Sequence, residues 1–490
     1  RNVHTASVAP YKSLAAWTTP INNNHQEFDP KVMYDPDADK FVLTCLVGFT
    51  DSTSKIIVGF SQTNNPAGNW NLYTLPGDPL NYNLWSDYPM IAMTKKELFL
   101  TINYLYNDSS WQTGFVETLV WQMKKDSGYV GNTLGTTLHY DIKYNNKPIR
   151  NLCPVKGGSQ LYGPDMYFLS NRNLASQNDT VFLVNISDTI GAPTQTLTVK
   201  VLQSNPPYYF PPDGRQTFST QTLASNDSRN LGAFIENNKI QYVHSTMNPT
   251  NSLVTVFYGV IDNPGAATPS ITGYYLDNDT MDFAYPNISY AGNSASDNTS
   301  IISFDHASDK SFPGVAAIKA DANGNFSPIL RITDGTAAVN LLQSNLERWG
   351  DYSGSQRKYN NPGEVWMSGY IGSGYNFQYP NAHRAWVAQL GIAGVATTVN
   401  EKENSIQDAL LYPNPTKDFF SVDLSLTQPE YLSFTLYDAQ GKQVALLLRD
   451  WVKVKQNVFS FKTSDLSNGI YFLKITGNKG TNISKKVIVE

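Results

Sequence analysis

The chain has 490 residues and a formal net charge of −5, with 16% charged and 12% aromatic residues. A charged fraction well below the roughly 25% of average soluble proteins, in a chain rich in Tyr, Trp, Thr and Asn, favours strands over helices. No run of apolar residues is long enough for a membrane-spanning helix, and dispersed lysines under a net negative charge argue against a nucleic-acid partner.

The chain opens at Arg1 without a charged-then-apolar leader, which is read as a mature chain whose secretory signal is absent. Up to about Gly394 no long stretch holds a 3.6-residue period. Short apolar runs alternate instead with Gly, Pro, Asn and Asp. Val32–Tyr34, a turn at 35–39 and Phe41–Val47 predict a hairpin, followed by strands at Ile56–Ser61 and Trp70–Leu75. Four antiparallel strands in succession make one blade of a propeller. The pattern restarts at Asp87, near Gly157 (with a strand at Leu161–Ser170), near Asp227, near Ile288 and near Trp349. Six units of about 64 residues each predict a ring of six blades, five or seven being the alternatives. Cys45 and Cys153 fall in different units, so two buried thiols are expected rather than a disulfide.

Trp85-Ser86-Asp87-Tyr88-Pro89 and Trp349-Gly350-Asp351-Tyr352-Ser353 share the pattern W-x-D-Y-x at a unit start, and Phe28-Asp29-Pro30 holds the equivalent place in the first unit. At the fold level this part of the chain resembles the loosely related secreted propellers that include sialidase-like and glycosidase-like folds. The S-x-D-x-G-x-T-W boxes of sialidases are absent. Asp29, Asp87 and Asp351 are candidate carboxylates at a channel mouth, as glycosidase acid and base or nucleophile, or as calcium ligands. The competing reading is that each aspartate caps its own turn. Glu364 and Asp165 are weaker candidates. Asp321-Ala322-Asn323-Gly324-Asn325 resembles the start of a calcium loop, but without the later bidentate Glu it is expected to be a hairpin turn. His25, His244, His306 and His383 lack metal-ligand spacing, so no metal site is predicted. Tyr82, Trp85, Trp111, Tyr208, Tyr209 and Tyr375 stand beside amides and could stack on sugar rings or pack between blades.

Ala393–Ala409 shows no alternation and reads as a flexible connector, giving a propeller at 1–394, a linker at 395–410 and a terminal domain at 411–490. Tyr412-Pro413-Asn414-Pro415 opens the terminal domain as an extended turn. Phe420–Leu426 and Leu432–Leu436 then alternate as half-buried strands. Asp438-Ala439-Gln440-Gly441-Lys442 is a hairpin turn, and Val444–Leu448 and Val458–Phe461 follow as strands. Asn468-Gly469 turns into Ile470–Ile475 around Tyr471, and Ile483–Val489, basic at Lys485 and Lys486, ends the chain. About seven short strands predict an Ig-like antiparallel sandwich. Residues 411–490 carry a charge of +3, against −8 for the preceding part.

Y-P-N-P, Y-D-A-Q-G-K, L-S-N-G-I-Y-F-L-K-I and a terminal K-K-V-I-V, in that order, resemble the type A C-terminal sorting domain of the type IX secretion system of Bacteroidetes. The resemblance implies passage through an outer-membrane translocon and receipt by a β-barrel shuttle protein. It also implies removal of the domain by a sortase-like enzyme, leaving the cargo on the cell surface or released. The final strand is expected to be free as an edge or inserted strand. Asp51-Ser52-Thr53, Asp179-Thr180-Val181, Asp188-Thr189-Ile190 and Asp279-Thr280-Met281 resemble the O-glycosylation sequon of that phylum, with Ser52, Thr180, Thr189 and Thr280 as acceptors. The leading functional expectation is a non-enzymatic surface protein, an adhesin or glycan-binding module of the kind used in attachment or gliding motility. The alternative is a glycan-active hydrolase. No cofactor is expected, calcium excepted.

Overall fold

The computed structural model describes residues 12–22, 26–276, 278–294, 296–342, 344–374, 381–392, 406–426, 429–453, 455–477 and 481–490. The chain is nearly all β and divides into two compact units, Arg1–Ala393 and Gly394–Glu490. Two short helices, Leu14–Thr18 and Lys125–Val130, are the α-helices among the described residues.

Among its described residues the first unit is a succession of six main sheets with strands added in chain order, of four, four, four, five, four and three strands. Their lead strands are Glu27–Asp35, Leu84–Met93, Cys153–Pro154, Asn230–Glu236, Asp282–Tyr290 and Gly354–Arg357. In the fourth sheet the two-residue strand Lys156–Gly157 pairs in parallel outside Asn230–Glu236, so the segment leaving the third lead strand is stitched into the next sheet. The inner strands of the fifth sheet are covered on both faces. Asp282–Tyr290 and Ser300–Ser308 are buried at every position, so these strands show no inside–outside alternation. The apolar clusters lie between neighbours: Val42, Val58 and Phe60 of the first sheet meet Leu98, Leu100 and Leu119 of the second, and Val243 and Tyr258 of the fourth meet Ile288 and Phe304 of the fifth.

Apart from the fourth, which Lys156–Gly157 pairs at Phe234 and Ile235, a lead strand has its own sheet on one side only, so main-chain groups in or just before it need a partner from elsewhere. In each case the preceding sheet supplies a side chain. Ser54 Oγ accepts from Ser86 N (3.1 Å), Thr101 Oγ1 donates to Leu152 O (2.8 Å) and Asn171 Nδ2 donates to Ser228 O (2.6 Å). Ser245 Oγ accepts from Tyr285 N (3.2 Å) and Asn287 Nδ2 donates to Ser353 O (3.0 Å). The sixth sheet does the same for the first: Gln356 accepts from Tyr34 N at 2.9 Å and donates to Tyr34 O at 2.7 Å.

The structure moves three expected boundaries. The third unit starts at Cys153 rather than near Gly157, and its next strand is Met166–Asn171 rather than Leu161–Ser170, because Pro164 offers no N–H to a ladder. The fifth starts at Asp282, six residues before Ile288. Residues 406–410, expected in the connector, belong to strand Ile406–Tyr412, paired with Phe419–Leu426. Cys45 and Cys153 are both free and buried.

Among its described residues the second unit has seven strands in two sheets. Ile406–Tyr412, Phe419–Leu426 and Lys455–Lys462 form one. Gln443–Val452, Glu430–Asp438, Gly469–Gly477 and Asn482–Val489 form the other, with the terminal strand at its edge. Phe420, Val422, Leu424, Phe434, Leu436, Leu473 and Ile475 make the core between them.

Gln356→Leu should lower the unfolding free energy by about 1–3 kcal/mol, because it strands a main-chain donor and acceptor at once. Denaturant unfolding of the two proteins checks this, and equal midpoints would show that the bond between the last and first sheets is dispensable.

Candidate functional site

The W-x-D-Y and F-D-P motifs come together at the starts of the lead strands. Asp29 and Lys31 enter from the first strand, Asp87 and Tyr88 from the second, and Tyr285 from the fifth. Asp227 and Arg229 immediately precede the fourth, and Asp351 and Tyr352 precede the sixth. A local device recurs. Asp29, Tyr88 and Tyr285 have φ of 48°, 57° and 51°, and each is followed by a proline, Pro30, Pro89 or Pro286. At each of the three the register shifts, between Phe28 and Lys31, Asp87 and Met90, and Ala284 and Asn287. Proline cannot donate to the ladder, so the strand bulges and its side chains are re-aimed. Left-handed backbone at three non-glycine residues costs about 1–3 kcal/mol each, and strain of this kind concentrates where function needs a fixed geometry.

The three candidate carboxylates therefore share one electrostatic environment, and each is half-buried rather than sealed. Burial pushes the Asp87 carboxyl up to about 6. The charges of Asp29 and Asp351 add to the shift, while the Tyr88 amide and Arg229 oppose it. Asp29 is raised by burial and by Asp351, and drawn down by Lys31, Arg348 and a hydrogen bond from Tyr352. Asp351 is held by Arg348 and accepts from Asn226 Nδ2 at 3.0 Å. The Lys31 ammonium lies 2.8 Å from the centre of the Tyr352 ring, and its surroundings depress it to about 7 through burial, with Asp29 opposing.

Arg229 is an anchored cation. Asp227 receives its Nε at 2.8 Å and Nη2 at 2.9 Å, and Asn173 Nδ2 fixes Asp227 at 2.6 Å. Tyr88 and Trp111 lie against the guanidinium at 4.4 and 4.7 Å. The loop bearing Trp111 is pinned by Arg150, which donates to Trp111 O at 2.6 Å and Gln112 O at 3.2 Å. The sequence pattern marks a unit start near Asp227 but does not by itself draw that residue into the site. The signal was there: an aspartate at a unit start, as with Asp29, Asp87 and Asp351.

Other candidates lie elsewhere. Glu364 pairs with Lys358 at 2.9 Å on the sixth sheet. Asp165 lines a small polar recess with Tyr167, Asn185 and Lys200. Trp85 packs on Phe28 and Phe49, and Tyr208 is buried with its hydroxyl on Thr180 O. Tyr82 is exposed. His244 is buried against Phe257, His306 faces Asp334 and His383 stacks on Tyr370. Tyr375 and His25 fall outside the described residues. Asp321 caps a turn, accepting from the Asn323 and Asn325 amides, with Gly324 at φ +78°. Among the described residues no group of three His, Cys, Asp or Glu is arranged to hold a metal. Of the sequon hydroxyls, Ser52 and Thr280 are exposed, Thr189 is half-buried in a loop, and Thr180 is half-buried within strand Gln177–Ile186.

In the second unit, Asn414 of the Y-P-N-P turn reads the terminal strand. Its Nδ2 donates to Lys486 O (2.7 Å) and its Oδ1 accepts from Ile488 N (2.8 Å). Thr416 N donates to Ile488 O and Glu490 N to Thr416 O, both at 2.8 Å. The final strand lies at the sheet edge, as one of the two expected placements, and the turn covers only its last residues, Lys486–Glu490. Asp438 Oδ1 accepts from the Gln440 and Lys442 amides and Gly441 takes φ +81°, closing the hairpin. Tyr471 donates to Ser467 O across the turn before Gly469. Residues 410–490 match the family described as "Secretion system C-terminal sorting domain". The tail is a type IX sorting domain. The sorting domain marks the chain for export across the outer membrane to the cell surface or the extracellular space.

No curated protein matches the chain. Among solved structures it is similar to a sialidase of Trypanosoma rangeli in complex with the inhibitor DANA, at 7% identity and a TM-score of 0.39, covering 94% of this chain and 84% of that one. It is also similar to the α-L-arabinofuranosidase Arb93A of Fusarium graminearum, at 13% identity and a TM-score of 0.39, covering 74% and 93%. Likenesses this distant decide nothing about the chemistry of this chain.

Asp87→Asn tests the environment of the site. A carboxyl raised from 3.8 to about 6 in the folded chain costs stability once it ionises. The cost is absent below the unfolded value, grows as pH rises toward the folded one and is complete above it. The variant should therefore melt higher than the parent at pH 8, with the gain shrinking to nothing toward pH 4. A variant less stable at pH 8 would show that the carboxylate is stabilised there.

Proposed function

We propose that the first unit is a six-bladed β-propeller and that its carboxylate cluster hydrolyses glycosidic bonds outside the cell, the sorting domain delivering it there. The six successive sheets, with the side chain of Gln356 bonding the last to the first, support the propeller. The observation that carries the activity is the meeting of Asp29, Asp87 and Asp351 from three sheets, with one of them protonated up to about pH 6.

Neighbouring carboxylates in unlike surroundings divide acid from base. Asp87 is the general acid and delivers its proton to the leaving oxygen as the glycosidic C–O bond breaks. Asp351, held by Arg348 and Asn226, is the base or nucleophile at the anomeric carbon. Water supplies the new C–O bond, and its proton returns to the cluster. Trp111, half-exposed and backed by Arg229 on one face, offers a ring for the sugar, and Asp227 keeps Arg229 from moving. The acid cluster is what favours turnover over adhesion alone.

Export proceeds through the translocon, with a β-barrel shuttle receiving the sorting domain and a sortase-like enzyme removing it. Ser52 and Thr280, in exposed turns, are the sequon hydroxyls best placed for a glycan.

Screened on a panel of aryl glycosides and polysaccharides, the full chain should release sugar, and Asp87→Asn should lose roughly 10²–10⁴-fold in turnover with its circular dichroism unchanged. Undiminished turnover in the variant, or none in the parent, would overturn the hydrolytic assignment. In the native host, a chain ending at residue 409 should accumulate inside the outer membrane, as fractionation would show. Its appearance in the medium or on the surface would remove the sorting role.

A further inference from the structure

A sizeable cavity lies away from the carboxylates. It occupies about 480 Å³ between the first and sixth sheets, toward the opposite ends of the lead strands, where Gln356 binds Tyr34. Its walls are Val32, Tyr34 and Phe41 on one side and Tyr359, Asn360 and Trp366 on the other. The volume falls within the roughly 300–1,000 Å³ of small-molecule sites and is too small for a folded partner.

Trp366 is 46% exposed, on a strand whose neighbours Val365 and Met367 are buried. Its cross-strand partner is Gln389, which donates to Glu364. Lys358 also binds Glu364, at 2.9 Å, so the charges on that rim cancel. Arg357, the other cation at the cavity, spends Nη1 on the carbonyls of Tyr290 and Gly292, at 3.3 and 3.1 Å. Aromatic walls with a neutral hydrogen-bonding rim suit a ligand that is apolar on its faces and polar around its edge. Lys358 is neutralised by Glu364, so a cation would find no uncompensated carboxylate here, and the exposed amide of Asn360 offers a hydrogen bond that a purely apolar ligand would not use.

We infer that this cavity is a second, non-catalytic binding site for an uncharged pyranose unit of a glycan, stacked on Trp366 with its hydroxyls on Asn360, Gln389 and Glu364. It would hold a polymer on the first unit independently of the carboxylate cluster, so it stands whether or not that cluster is hydrolytic.

The test titrates the full chain with cellohexaose, mannohexaose and galactohexaose, reading tryptophan fluorescence and heat, with indole as an apolar control. At least one hexasaccharide should bind, and Trp366→Ala should weaken it about tenfold, the loss of one good stacking contact. Trp366→Phe should restore most of the affinity, and Asp87→Asn should leave it unchanged. Because Trp366 is exposed, its variants should keep the parent melting temperature. Binding of none of the three sugars, binding that survives Trp366→Ala, binding lost equally in Asp87→Asn, or a site that takes only indole would each overturn the assignment. Trp366-dependent binding in a chain with no hydrolytic activity would sink the hydrolytic reading and leave this one standing.

Discussion

The constraint on which the first unit depends is the main chain of its lead strands. Each has its own sheet on one side and a neighbouring sheet on the other, and its unpaired N–H and C=O groups cannot be left dry. The solution is the same at every seam: a short polar side chain from the preceding sheet reaches across. Serine, threonine, asparagine and glutamine recur in this role, and the abundance of such residues in a weakly charged chain has a physical use. Lys156 is the extreme case, with Nζ donating to Ile288 O at 2.9 Å and Ser355 O at 2.6 Å, so that one ammonium ties the fifth and sixth sheets. Burial depresses it to about 8.

The same lead strands generate the site. A strand that must pair at one end and present side chains at the other needs a break in register, and the proline that follows Asp29, Tyr88 and Tyr285 supplies it. Carboxylates from separate sheets lie within reach of one another, where the charges of Asp29 and Asp351 raise Asp87 and that of Asp351 raises Asp29. Lys31, Arg229 and Arg348 keep the cluster from becoming an uncompensated acid patch. Strain, charge and partial burial thus occur at one end of the strands, and the aromatic cavity at the other.

The sorting domain shows the same economy. The turn containing Asn414 and the terminal strand are the two ends of the family pattern, and they are in contact: the amide of Asn414 satisfies the strand's main chain at Lys486 and Ile488. A sheet edge at the end of a chain is a template for unwanted pairing. Here the motif that identifies the domain also covers the last residues of that edge, Lys486–Glu490.

The sequence by itself determined the strands, their hairpins and the nature of the tail, because these rest on local rules: period-two alternation, turn residues at Asp35–Asp39 and Asp438–Gly441, prolines that forbid helix. It also pointed to Asp29, Asp87 and Asp351, since a repeated motif at unit starts survives without knowledge of the fold. It misplaced the start of the fifth unit, because a strand buried on both faces has no alternation to read, and it left residues 406–410 in the connector. Only the tertiary structure decided that Gln356 meets Tyr34, 322 residues away in the chain. Only it placed Asp227 and Arg229 beside Tyr88, and set Trp366 at the rim of a cavity instead of in a core. Those are questions of which sheet faces which, and no periodicity within a segment encodes them.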